Sequence, residues 1–171
     1  GGGREMIALL ERGYTVDAFE PAASLVEAAN KIIIPRFGTR LRQATLQEWS
    51  KQAHGTYDAI FAGWGMWTHI IRHHDRMTAL RTFRQVCPSG PLLLSFWRYE
   101  KAFDNYEDPA TPLPLYPEPQ NRMERLTRSL LRQKILRLPP IERGTGWFAG
   151  MYVHYTSECE LREEGSLAGW N

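Results

Sequence analysis

The chain has 171 residues, 43% hydrophobic and 23% charged, ordinary values for a globular protein with a single core. Its net charge of +2 is too small to point to nucleic acid, and no apolar run approaches the roughly 20 residues needed to cross a bilayer. The two cysteines, Cys87 and Cys159, fit neither a metal-ligand spacing nor a disulfide framework, so a reducing compartment, the cytoplasm, is expected.

Gly1, Gly2 and Gly3 open the chain as a loop that can approach a ligand closely and take positive φ without strain. Arg4 to Arg12 is predicted helical, with Met6, Ile7, Leu9 and Leu10 apolar and Gly13 placed as a C-terminal cap. Thr15 to Phe19 alternates like a strand. Glu20 stands at its carboxyl end, the edge at which open α/β sheets hold ligands. An acid there can accept hydrogen bonds from both hydroxyls of a ribose. Glycine loop, helix, strand and acid serve dinucleotide-binding proteins and S-adenosylmethionine-dependent methyltransferases alike, and this stretch alone does not choose between them.

Pro21 to Lys31 reads as a helix with Leu25, Val26, Ala28 and Ala29 on its apolar face. A short strand follows around Thr39 to Gln43, and Thr45 is set to cap a short helix over Gln47 to Gln52. Thr56 to Met66 is the next strand. Its near-continuous apolar run, Tyr57 and Ala59 to Ala62, is expected to be buried in a parallel sheet, with Gly63 and Gly65 at the ligand edge. Asp75 to Val86 is a helix with Met77, Leu80, Phe83 and Val86 spaced by three, stopped by Cys87-Pro88-Ser89-Gly90. Pro91 to Trp97 is a buried strand. This alternation predicts an α/β fold with a doubly wound, mostly parallel sheet and right-handed crossovers.

Arg98 to Arg143 breaks the rhythm. Five prolines fall between Asp108 and Pro119, and a helix through Leu138 follows. Met123, Leu126, Leu130, Leu131, Ile135 and Leu138 form its apolar face, while its polar positions are rich in arginine, an inserted basic amphipathic helix. Met151 to Tyr155 then reads as a strand and Thr156-Ser157-Glu158 as a helix start. The glycine loop lacks a strand before it, and the last helix runs into Gly169-Trp170 where another strand belongs. The chain is therefore expected to be truncated at both ends.

GGG before a helix, then VDAFEPAASLVEAA, YDAIFAGWGMWTHI, ALRTFRQVCPSGPLLLSFW and YTSECELREEGSLAGW, resemble successive motifs of the class I S-adenosylmethionine-dependent methyltransferase family. The resemblance spans nearly the whole chain apart from the insert. It implies a Rossmann-like fold with S-adenosylmethionine as cofactor. Gly1, Gly2 and Gly3 would lie under the methionine moiety, Glu20 on the ribose, and Ala44, Thr45 and Leu46 at the adenine. Gly63 and Trp64, at the carboxyl end of the next strand, are placed at the cofactor as well. Thr45 departs from the pattern, since the family often has an aspartate there contacting the adenine amino group. The family's Asn-Pro-Pro-Tyr type motif is also missing after the fourth family strand, which disfavours base methylation of DNA; the leading expectation is methyl transfer to a small-molecule acceptor.

The sulfonium already activates the methyl group, so alignment of the acceptor is the protein's main task, with a base needed only for a poor nucleophile. His69 is the candidate base, set against an ordinary loop histidine. Trp64, Met66 and Trp67 wall a pocket or fill the core. His69, His73, His74 and Asp75 could form a metal cluster, since His69 and His73, four apart, would share a helix face, but no second cluster completes such a site; alternatively Asp75 caps that helix. The insert is expected to form a lid over the acceptor, with Met123, Leu126 and Leu130 packed on the domain, or to be a solvated basic face. A nicotinamide-dependent oxidoreductase and a noncatalytic module binding an anionic partner through the basic helix are the other two readings.

Overall fold

The computed structural model describes residues 2–52, 55–98, 123, 145–148 and 151–170. Two compact units are present, Gly1–Asp58 and Ala59–Asn171.

The first unit holds α1 (Arg4–Leu10), β1 (Phe19–Glu20), α2 (Ala23–Phe37), β2 (Arg42–Gln43) and α3 (Leu46–Ser50). β1 and β2 run parallel, pairing Phe19 with Arg42 and Glu20 with Gln43. With α2 between them they form a strand-helix-strand crossover. The ladder covers only Phe19 and Glu20 and so meets the predicted Thr15 to Phe19 strand at its last residue, while Val16 and Ala18 pack on the core. That core is Met6 of α1, Ala29 and Ile33 of α2, and Leu41.

α2 runs past Lys31, where the sequence reading ended it, and contains Pro35. Proline removes one helical hydrogen bond, but Ile33, two residues earlier, is fully buried, and the helix continues to Gly38, whose φ of 67° closes it. Tertiary packing outweighs local propensity here. The Asn30 side chain bonds both the carbonyl and the N–H of Leu41, tying α2 to the approach to β2.

The second unit holds β3 (Ile60–Ala62), a 3-10 turn (Met66–His69), α4 (His73–Val86), β4 (Leu92–Leu94), β5 (Thr145–Phe148), β6 (Met151–His154) and α5 (Glu158–Leu167). β3 and β4 are parallel, with Phe61 opposite Leu93, and β5 and β6 are antiparallel. The described strands thus form small parallel and antiparallel pairs among helices, an arrangement compatible with an α/β fold. β5 was not foreseen.

α4 buries Met77, Leu80, Phe83 and Val86, the positions its spacing named. It starts two residues before the predicted Asp75, which lies in the first turn, where its charge suits the helix dipole, and makes no capping bond. β3 and β4 depart from the expected burial: Phe61 is 52% and Leu93 50% exposed, because successive side chains leave a strand on opposite faces and this face is uncovered among the described residues. Ser157 caps α5 by accepting the Glu160 N–H, as the Thr156-Ser157-Glu158 sequence indicated. No described helix is long and apolar enough to cross a membrane. The insert lies outside the described residues except for Arg98 and Met123, and Met123 is exposed.

Candidate functional site

In the first unit, the parallel register of β1 and β2 puts their carboxyl ends at one edge. Glu20 ends β1, and its carbonyl accepts the N–H of Ala44 at 3.2 Å. The structure therefore brings together Glu20 and the segment Ala44 to Leu46, which sequence reasoning assigned to ribose and adenine. The Glu20 side chain is 9% exposed, and its Oε1 accepts the Ala22 N–H at 2.9 Å at the entry to α2. A carboxylate is thereby held in a fixed pose at a strand end.

Thr45 does more local work than its sequence role implied. Its Oγ accepts the Glu48 N–H and donates to Glu48 Oε2, while its own N–H donates to that same oxygen at 2.7 Å. This is a complete capping box for α3. Bonds from the Thr45 backbone and hydroxyl hold the Glu48 carboxyl below its ordinary value. Because the hydroxyl both donates and accepts within the cap, it is a poor substitute for a free aspartate at an adenine amino group.

Of the opening glycines, Gly1 lies outside the described residues. A Cβ on Gly2 would meet nothing within 4 Å, whereas Gly3 has φ of 79° and its Cβ would sit 2.9 Å from Ile33 Cδ1 and 3.1 Å from Ala29 Cβ. Gly3 also caps α1, its carbonyl accepting the Ile7 N–H. The geometry thus demands glycine at Gly3 and not at Gly2. Beside this edge, Arg42 forks onto both Asp17 oxygens at 2.7 Å and the Tyr57 hydroxyl donates to Asp17 at 2.6 Å. Burial, then that hydrogen bond, push the Tyr57 hydroxyl up to about 12.

In the second unit, Gly63, Trp64 and Gly65 leave the carboxyl end of β3 in a tight turn closed by the Met66 N–H on the Gly63 carbonyl. The Gly65 N–H donates to Ser95 Oγ at 2.8 Å, and a Cβ on Gly65 would meet Trp97 Nε1 at 3.3 Å. The Thr68 hydroxyl accepts the Trp97 N–H. Trp97 lies edge-on to His69 at 6.4 Å and tilted against Tyr155 at 5.9 Å. His69 is exposed at the end of the 3-10 turn. Trp67 is fully buried and belongs to the core, whereas Trp64 is 65% exposed. His69 and His73 fall in different elements, so the helix face they were to share does not form. No three His, Cys, Asp or Glu side chains among the described residues are grouped to hold a metal ion.

Sequence reasoning missed the polar cluster between α4 and α5. Arg76, 1% exposed, sends Nε to both oxygens of Glu164, Nη2 to Glu160 Oε1 at 2.9 Å, and Nη1 to the Ile71 carbonyl at 2.8 Å. His73 Nδ1 meets Glu164 at 2.7 Å and the fully buried His154 meets Glu160 at 2.9 Å. Burial alone would raise the Glu160 carboxyl, but the His154 bond and the charges of His154 and Arg76 outweigh it and hold that carboxyl low. Arg76 and His73 lie more than 80 residues from Glu160 and Glu164 in the chain, and only the fold joins them. With Arg76, Glu164 and His154 closed to solvent, the cluster serves as a clamp. A comparison with protein-family models and with curated proteins finds no match for this chain.

Proposed function

We propose that this chain carries S-adenosylmethionine-dependent methyl transfer to a small-molecule acceptor. The observation that supports it best is the parallel β1–β2 register, which sets the buried Glu20 carboxylate beside Ala44, Thr45 and Leu46 at one strand edge. A ribose needs paired acceptors at such an edge, and an adenine lies naturally along the segment that follows the neighbouring strand. Gly3, glycine by steric necessity, supports the loop role the resemblance implies. The doubly wound, Rossmann-like sheet is part of this proposal: β1-α2-β2 and β3-α4-β4 are each parallel strands joined through a helix, the repeat from which that architecture is built. His69 would serve as base for an acceptor that must lose a proton, and Arg98 to Arg143 would form the acceptor-side lid.

Calorimetric titration of the chain with S-adenosylhomocysteine and with NADH tests the reading. Tight binding of the first and none of the second is expected, and binding of NADH alone would overturn it in favour of an oxidoreductase. Glu20→Ala should weaken S-adenosylhomocysteine at least about tenfold, since charge-assisted bonds are worth about 1.5–3 kcal/mol each. An unchanged affinity in a folded Glu20→Ala protein would remove Glu20 from the site.

A further inference from the structure

Glu48 is the third residue of α3, and its carboxylate is held by one oxygen only. Oε2 accepts the Thr45 N–H at 2.7 Å and the Thr45 hydroxyl at 2.9 Å. Among the described residues nothing donates to Oε1, and Lys51 contributes only a nearby charge. The capping box fixes the pose of this exposed side chain, so its second oxygen is presented in one place instead of sweeping through many. The bonds from Thr45, its backbone N–H first, hold the carboxyl below its ordinary value and keep it ionised at neutral pH. Thr45 in turn directly follows Ala44, whose N–H is bonded to the Glu20 carbonyl. The buried carboxylate of Glu20 and the exposed one of Glu48 therefore both stand beyond the carboxyl ends of the paired strands β1 and β2, within the first unit.

We propose that Glu48 selects the nucleobase of the cofactor, Oε1 accepting a hydrogen bond from the exocyclic amino group of adenine. The proposal rests on the methyltransferase reading above, which lays the base along Ala44 to Leu46. A carboxylate has no hydrogen to give, so at that place it favours an amino group and repels a carbonyl oxygen. Adenine carries the amino group; hypoxanthine carries a carbonyl oxygen in its place. The Thr45 hydroxyl cannot make this choice, because it donates and accepts within the capping box.

The test uses the whole chain and its Glu48→Gln and Glu48→Ala variants, titrated calorimetrically with S-adenosylhomocysteine and with S-inosylhomocysteine, its deaminated form. Glutamine also serves in a capping box, its amide oxygen taking the Thr45 bonds and its amide nitrogen, a donor, facing the base. The wild type should bind the adenosyl compound at least about tenfold more tightly than the inosyl one, the size of one charge-assisted bond. Glu48→Ala should bring that ratio close to one, and Glu48→Gln should invert it. Melting temperatures should fall in a different order, with Glu48→Ala lowest, because alanine alone breaks the box. A purely structural role predicts the reverse pattern of ratios: a Glu48→Gln protein at the wild-type ratio, with only Glu48→Ala altered, would make Glu48 a capping residue and overturn the proposal. A wild type that binds both compounds equally overturns it too, and leaves the methyltransferase reading standing. If neither compound binds the wild type, that reading itself fails and the adenine contact falls with it.

Discussion

Replacing Arg76 by methionine keeps most of the side chain's apolar stem and deletes the guanidinium that joins α4 to α5. Three hydrogen bonds to carboxylate oxygens vanish, from Nε at 3.0 and 3.1 Å and from Nη2 to Glu160 at 2.9 Å, together with the ion-pair contact of Nη2 with Glu164 at 2.8 Å and the Nη1 bond to Ile71. Glu164, whose side chain is 3% exposed, is left with His73 at 2.7 Å, while Glu160 at 31% can turn to water. Stranding one buried charge costs about 3–5 kcal/mol, a large part of the roughly 5–15 kcal/mol that typically holds a domain folded. At about 2–4 °C per kcal/mol for a chain of this size, the midpoint should drop by about 6–20 °C. Urea denaturation at pH 7, followed by tryptophan fluorescence and circular dichroism, would measure the loss. Glu164→Leu in the same protein should restore a good part of it, because the double variant has no stranded carboxylate at that position. A single-variant loss below about 1 kcal/mol, or a double variant that merely adds the two single costs, would refute the clamp.

Four further outcomes follow from the geometry. Gly3→Ala should destabilise by about 2–4 kcal/mol, from positive φ plus the close approach to Ile33 and Ala29, whereas Gly13→Ala, with φ of 82° and open space around it, should cost only about 1–2 kcal/mol; paired urea curves separate strain from clash. Thr45→Ala should lose about 1 kcal/mol with its cap and leave S-adenosylhomocysteine affinity nearly unchanged, as read by melting and calorimetry. Thr156→Val should stabilise by about 1 kcal/mol in the same urea assay, because the buried Thr156 hydroxyl has no hydrogen-bond partner among the described residues and an isosteric methyl removes its desolvation cost. Glu160 is held below its ordinary 4.5 in the folded state, so its contribution is present above that value and lost as pH falls below it. Thermal melts from pH 6 to pH 3 should therefore fall less steeply for Glu160→Gln than for the wild type.

Element order was legible from the sequence wherever a local rule set it. The spacing of Met77, Leu80, Phe83 and Val86 placed α4 and its buried face, Ser157 placed the start of α5, and Thr45 the cap of α3. Glu20 and Ala44 were assigned to neighbouring strand ends and meet there. What escaped depended on distant partners. Continuation of α2 through Pro35 is decided by the burial of Ile33, the exposure of Phe61 and Leu93 by what covers a sheet face, and the Arg76 cluster by residues brought together across the fold. Of the two histidines considered as a metal pair, His73 instead bonds Glu164, because the chain leaves the 3-10 turn before α4 begins. Trp64 was visible as an aromatic near a strand end, but its positive φ could not be read from composition or spacing.

The clamp between α4 and α5 also constrains how this protein can diverge. Any lineage that loses Arg76 first passes through a form with Glu164 stranded, and any that loses Glu164 first strands the guanidinium, so single steps in either direction are selected against. His154 is tied to the same fate through Glu160, because losing that carboxylate takes a hydrogen-bond partner from a fully buried imidazole. Relatives should therefore carry Arg, Glu, Glu and His at these four places as a set or replace them together with apolar residues, and mixed sets should be rare. A library randomised at all four positions and selected for folding would reveal the same all-or-none pattern without recourse to natural history.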